Sequence, residues 1–283
     1  MPSTLDLRRR IKSVKNTSQI TKAMQMVAAA KMRRAQSAAL AGRPYQEALA
    51  RVLAAVKGRV DPASHSLLAV RSVKKELVVI LSTDKGLCGP LNSNLFRELS
   101  AVDRTNSDFV ASGKKAIQFL ARTKRHLIAD YELKDSPRFL DVRPIAKFIS
   151  DKFTSKEVDQ VRVLYPRFVN TLNQESVLRT LLPIPVEELG ITGQQNPGEA
   201  LFEPNVHSVL DAILPHYIGF QLFQMLLNAR ASEHSARMVA MKNATDNANQ
   251  FIKDLTLEYN KMRQASITTE LLEIATAQLS VGA

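Results

Sequence analysis

Between Gly219 and Gly282 the chain has neither glycine nor proline, and within that stretch Met238, Met241, Thr245, Ala248, Ile252, Leu255, Tyr259 and Met262 recur at steps of three and four residues. Alternating threes and fours make the seam of two helices wound around each other, here with mostly small or flexible seam residues. From about Val206 to the end this predicts a single helix of ~75 residues, roughly 110 Å long at 1.5 Å per residue. Pro215 and Gly219, near its start, are where a kink would fall. A helix exposing an apolar stripe gains little from propagation alone and needs tertiary burial. The pattern therefore demands a partner.

That partner is at the other end of the chain. Residues 8–34, RRRIKSVKNTSQITKAMQMVAAAKMRR, hold nine Lys or Arg, no Asp or Glu, and no Gly or Pro. Ser3 with Asp6 fits a capping box. Leu7, Ile11, Val14, Ser18 and Thr21 follow the same 3,4 spacing, and Ile20, Met24 and Val27 are expected to continue it on a slightly rotated stripe. AGRP at 41–44 should interrupt the rod, and YQEALARVLAAVKGRVDP resumes it as far as Gly58 and Pro62. A compact domain between two such arms brings their bases together, which predicts an antiparallel coiled coil. The arms are unequal: the first offers ~40 residues, or ~60 Å, before its bend. The C-terminal helix must then overhang over about 264–283, QASITTELLEIATAQLSVGA, with two acids and no bases. A lone, rather apolar helix end needs an external sleeve. The plainer alternative folds both arms back as core helices of a bundle; the uninterrupted C-terminal pattern argues against it, since globular helices average about 11–12 residues.

Residues 61–205 change character. ELVVILS (76–82) reads as a buried strand and LNSNLFRELSAV (91–102) as the helix after it; DFVAS (108–112) and GKKAIQFLART (113–123) repeat the pair. HLIADYEL (126–133), RPIAKFISDKF (143–153), QVRVLYPRFV (160–169) and ESVLRTLLPI (175–184) continue the alternation, predicting a small α/β domain with a largely parallel sheet. Residues 185–205 hold three Pro and three Gly and read as a linker. The expected organisation is an N-terminal coiled-coil helix over 1–60, an α/β domain with its linker over 61–205, and a long C-terminal helix over 206–283. The fold class is thus α/β plus long helices: an antiparallel coiled coil with an inserted Rossmann-like α/β domain.

The net charge of +12 is concentrated in one arm. Residues 1–60 carry thirteen Lys or Arg against Asp6 and Glu47, whereas 61–205 carry twenty against eighteen and 206–283 six against seven. Such an arm should meet nucleic acid, a lipid surface or acidic protein loops. Binding to nucleic acid is the alternative function, through phosphates. Against it, Lys12, Lys15, Lys22 and Lys31 fall at widely differing helical angles, and no aromatic lies between residues 1 and 44 to stack a base. STDKGLCGPLN (82–92) lies where a phosphate loop would, but it is neither G-x-x-x-x-G-K-[ST] nor G-x-G-x-x-G and reads as a tight turn. Cys88, the only cysteine, reads as a small packed residue, so no internal disulfide and no Cys-based zinc site is expected. His65, His126, His207, His216 and His234 show no metal spacing. Catalytic residues, cofactors and metals are expected to be absent. No apolar run reaches the ~20 residues of a membrane span.

Four separated blocks, IKSVKNTSQITKAMQMVAAAKMRRAQ (11–36), STDKGLCGPLN, ASEHSARMVAMKNATDNANQFIKDL (231–255) and YNKMRQASITTELLEI (259–274), resemble, in order, the gamma subunit of bacterial F-type ATP synthases. Pro90 stands where that family usually has Gly, and Ala277 and Gln278 where it usually has Gly-Ala. The resemblance implies a non-catalytic rotor shaft in the central stalk of a proton-translocating enzyme. Such a shaft couples rotation of a c-ring to conformational cycling of the catalytic beta subunits and regulates ATPase activity and proton flow. It implies as partners a ring of alpha and beta subunits, an epsilon subunit and the c-ring, with no nucleic acid, and membrane contact only through the c-ring at the cytoplasmic face of the bacterial plasma membrane. Carried over by motif, Met24, with Lys22, Arg33 and Arg34 nearby, would contact the ring from the first helix. Arg237, Gln264, Thr268 and Glu270 would face the ring from the last, and Phe202 and Glu203 would form the foot on the c-ring.

Overall fold

The first helix starts on the predicted box. The Ser3 hydroxyl and amide both donate to the Asp6 carboxylate, at 2.8 and 3.2 Å, and the Asp6 amide donates back to the Ser3 hydroxyl at 3.2 Å. Two N-terminal donors are thereby satisfied. In the computed structural model, which describes residues 3–57, 65–185, 203 and 205–281, helix α1 runs Thr4–Ala41 and α2 Arg43–Lys57, parted at Gly42 within the AGRP signal. Strands and helices then follow as β1 (Glu76–Leu81), α3 (Leu91–Ser100), β2 (Ser107–Ser112), α4 (Lys114–Arg122), β3 (Leu127–Tyr131), α5 (Phe139–Thr154), β4 (Gln160–Phe168) and β5 (Gln174–Leu182). Helix α6, Val206–Val281, passes without a break through Pro215 and Gly219. Most of 185–205, the predicted linker, lies outside the described residues.

The chain divides into two compact units, Met1–Ala28 with Met238–Ala283, and Ala29–Arg237. The first is the antiparallel coiled coil. Ser18 bonds Asn249 at 2.9 Å and Thr21 meets Thr245 at 2.7 Å, so rising numbers on one helix oppose falling numbers on the other. The C-terminal seam is the predicted one: Met241, Thr245 and Leu255 are buried, and Ala248, Ile252, Tyr259 and Met262 partly so. The N-terminal seam departs from expectation. It continues from Thr21 through Gln25 to Ala28, while Ile20 and Val27 are 60% and 56% exposed and Met24 is half-buried. A straight helix drifts about 20° per heptad, which the rotated stripe assumed; supercoiling removes the drift and keeps one seven-residue repeat in the seam.

The second unit contains a five-stranded sheet in the order β3-β2-β1-β4-β5. The pairs β3·β2, β2·β1 and β1·β4 are parallel. All six residues of β1 are buried, with Leu77, Val79 and Leu81 in one core and Val78 and Ile80 in the other, as a central parallel strand requires. Leu95 and Leu99 of α3 and Ala116 and Leu120 of α4 cover one face. Ile145, Ile149 and Phe153 of α5, Leu49 and Leu53 of α2, and the start of α6 cover the other. The strand–helix alternation ends at β4, because β5 pairs with it antiparallel. Asn170 explains the reversal: its side-chain oxygen accepts the amides of Leu172 and Asn173 at 2.9 and 2.7 Å, folding a hairpin too short for the crossover a parallel strand needs.

Candidate functional site

In α/β sheets of this kind, ligands bind outside the carboxyl ends of the strands, where the strand order reverses direction. Here that place adjoins the ends of β1 and β4, and the chain fills it with its own helix. Six of the eight residues 230–237 of α6, RASEHSAR, are polar, yet Arg230, Ser232, Glu233, His234 and Ser235 are all buried. Arg230, 2% exposed, donates to the Leu133 carbonyl beyond β3 at 2.8 Å and to Glu233 at 2.8 Å, with Asp84 beyond β1 at 3.7 Å. Glu233 also accepts from Arg237 at 2.9 Å, and Arg237 reaches the carbonyls of Lys85 and Gly86 at 3.3–3.4 Å. The Ser232 hydroxyl donates to the Pro166 carbonyl in β4, and Ser235 to the Thr171 carbonyl in the β4–β5 turn, both at 2.9 Å. Every strand-end loop along this edge except that of β2 is tied to two turns of one helix.

The loop after β1 is therefore a seat for a helix. A phosphate cradle presents backbone N–H groups to its ligand; this loop presents carbonyls to a guanidinium. Its turn uses positive φ at Leu87 (62°) and Gly89 (57°). Asn92 closes it, donating to the Thr83 hydroxyl at 2.8 Å and to the Cys88 sulfur at 3.3 Å. Cys88 packs with Leu91 and Ala236, and burial pushes its thiol pKa up, which is unfavourable for a nucleophile. Burial likewise lowers the pKa of His234, and Arg237 adds to the effect against the opposing pull of Glu233. A cleft of about 540 Å³ opens between α5 and α6, but its charges oppose one another, Arg143 and Lys147 against Asp151 and Asp211. Among the described residues no cluster is suited to a metal ion.

The expected contact residues fall into distinct settings. Lys22, Gln264, Thr268 and Glu270 are exposed on the coiled-coil unit, and Met24 is half-buried there. Thr268 returns its hydroxyl to the Gln264 carbonyl at 2.9 Å, and Glu270 accepts from Ser266 at 3.2 Å, so both satisfy local groups while facing solvent. Arg33 and Arg34 are exposed on the second unit. Arg237, only 12% exposed, is committed to Glu233 and the β1 loop. Glu203 is exposed, and Phe202 lies outside the described residues. Sequence reasoning missed Arg230 and Glu233. The available signal was a largely polar run inserted between the mainly apolar QLFQMLLNA and the heptads that follow.

Every described side chain from Arg263 to Ala277 is exposed, including Ile267, Leu271, Leu272 and Ile274. This is the predicted overhang: a helix end with large apolar groups and nothing from its own unit covering them.

The ATP synthase family model matches residues 3–280. The chain is 49% identical to the ATP synthase gamma chain of Opitutus terrae, covering 99% of each, and 45% identical to that of Methylacidiphilum infernorum over the whole of both. Among solved structures it is similar to a chain of the Tetrahymena thermophila mitochondrial ATP synthase central stalk and c-ring, with TM-score 0.62 and 26% identity over 80% of this chain and 99% of that one. A chain of the Euglena gracilis mitochondrial ATP synthase in rotational state 3 has the same fold, with TM-score 0.70 at 19% identity over 98% of this chain and 94% of that one. The chain belongs to the ATP synthase gamma-chain family.

Proposed function

We propose that the chain is the central-stalk rotor shaft of a bacterial F-type ATP synthase, carrying c-ring rotation to the catalytic beta subunits and doing no chemistry itself. The observation that carries this reading is the uncovered helix end. Four large apolar residues over 267–274 stand in water on a helix that has outrun its coiled-coil partner. Burying such side chains is worth about 1.5–3 kcal/mol each, so a sleeve that encloses them gains several kcal/mol of association. A ring of alpha and beta subunits is that sleeve. Lys22 and Met24 on α1 and Gln264, Thr268 and Glu270 on α6 form its contact surface, with Arg33 and Arg34 adding charge. Positive charge spread around α1 suits sliding past repeated acidic loops, whereas one buried ion pair would hold a single angle.

Residues 1–60 and 206–283 serve as the shaft and 61–205 as the foot. Glu203, with Phe202, meets the c-ring beside an epsilon subunit. No described helix is long and apolar enough to cross a membrane; the chain reaches the cytoplasmic face of the bacterial plasma membrane through the c-ring. Co-expression tests the reading. The tagged chain should bring down alpha and beta subunits from its own source in equal amounts, and removal of residues 264–283 should weaken the complex at least tenfold. Recovery of the chain alone, or a complex indifferent to the truncation, would contradict it.

A further inference from the structure

We infer that the buried Arg230–Glu233 pair and its hydrogen bonds are a torsional key: they fix the angle at which the sheet domain grips helix α6, and torque passes from the domain into the helix through them. This rests on the reading of the chain as a rotor shaft.

Elsewhere the grip on α6 is mainly apolar, through residues such as Leu214, Ile218, Leu222 and Leu226 in the shared core, with one polar contact from His65 to the largely exposed Asp211 at 3.0 Å. Apolar burial is strong but non-directional, so such a surface resists separation better than it resists turning. Residues 230–237 differ in kind. Bonds leave them for the loops after β1, β3 and β4, in several directions around the helix. Charge-assisted bonds with fork geometry are short and angle-sensitive. They are also an expensive way to hold a buried helix, since apolar residues of similar volume often do as well or better. The Arg230 Nε, buried and without a partner, adds to that cost. A costly, directional, many-armed contact is what angular rigidity requires. It also lies at the last residues of the sheet unit before α6 continues into the coiled coil.

The test uses the assembled complex, its ring fixed to a surface and a rotation probe on the sheet domain at the exposed Glu98→Cys. Without nucleotide, the spread of probe angles reports torsional stiffness. R230M/E233L removes the pair and also leaves Arg237 without its carboxylate, so the thermal midpoint of the free chain should fall, while the spread should widen at least about twofold, more than the fall in midpoint accounts for. Arg230→Lys keeps the charge and loses the fork, and should widen it less. Ser235→Ala removes only neutral bonds, one to the Thr171 carbonyl and a long one from Gln174, and should widen it least; these two single changes supply the answer if the double variant does not assemble. An unchanged spread in variants that assemble, or a spread that merely follows the midpoint, would overturn the key. A wild-type complex that never steps with ATP would instead overturn the shaft.

Discussion

Gly113 sets the geometry of one corner of the sheet. It follows β2 with φ at +102°, and a Cβ built there would stand 2.5 Å from the Ser82 carbonyl oxygen. Ser82 holds its place through its own hydroxyl, which accepts the Ala116 amide at 2.9 Å. Neither strand can retreat, because both are central. Gly113→Ala should therefore cost at least ~2 kcal/mol, from backbone strain and overlap together. A clear drop in the thermal midpoint of the isolated chain is expected, and an unchanged midpoint would refute the argument. His234 gives a pH dependence of defined sign. Its folded pKa lies below its unfolded value of about 6.5, so the unfolded chain binds the proton more readily. Stability is fully present above that value and is lost as pH falls through and below it. Urea unfolding at pH 7.5 and pH 5.5 should show the loss, and His234→Gln should flatten it.

At the scale of elements, the helices were the most legible part of the chain, because a heptad or a capping box is a local statement. The seam from Met238 to Met262, the Ser3–Asp6 box and the break at Gly42 follow from spacing and side-chain chemistry alone. What was not legible depended on distant partners. Nothing within β5 says that it pairs antiparallel with β4; that follows from the Asn170 turn. The stripe through Ile20 and Val27 had the right residue types, but the supercoil passed it over for Gln25 and Ala28. The polar run at 230–237 is unremarkable until the loops it binds are in place. Two predictions belong here. Leu7, 1% exposed in the seam, should cost about 2–4 kcal/mol on change to Ala, and amide exchange over 238–262 should quicken. In the free chain, amides of 264–281 should exchange within seconds, since a helix end without tertiary burial is marginal. In the complex they should slow by orders of magnitude, and equal rates in both states would contradict a sleeve.

At the scale of the whole molecule, one helix carries residues of both compact units, and one arm carries nearly all the excess charge. The first fact gives rotation a continuous covalent path; the second gives it a charged surface with no favoured side. A basic arm entering an acidic ring should associate about tenfold more slowly in ~200 mM salt than in ~20 mM, by screening. The central claim is that this chain turns inside a ring of other subunits and is driven by them. Its most direct test is single-molecule observation of the complex with the ring fixed and a probe at Glu98→Cys. The account predicts ATP-dependent rotation in one direction, with dwells about 120° apart, as a threefold ring of catalytic subunits requires. A probe that stays fixed with the ring while ATP is hydrolysed, or wanders without regard to ATP, would contradict it.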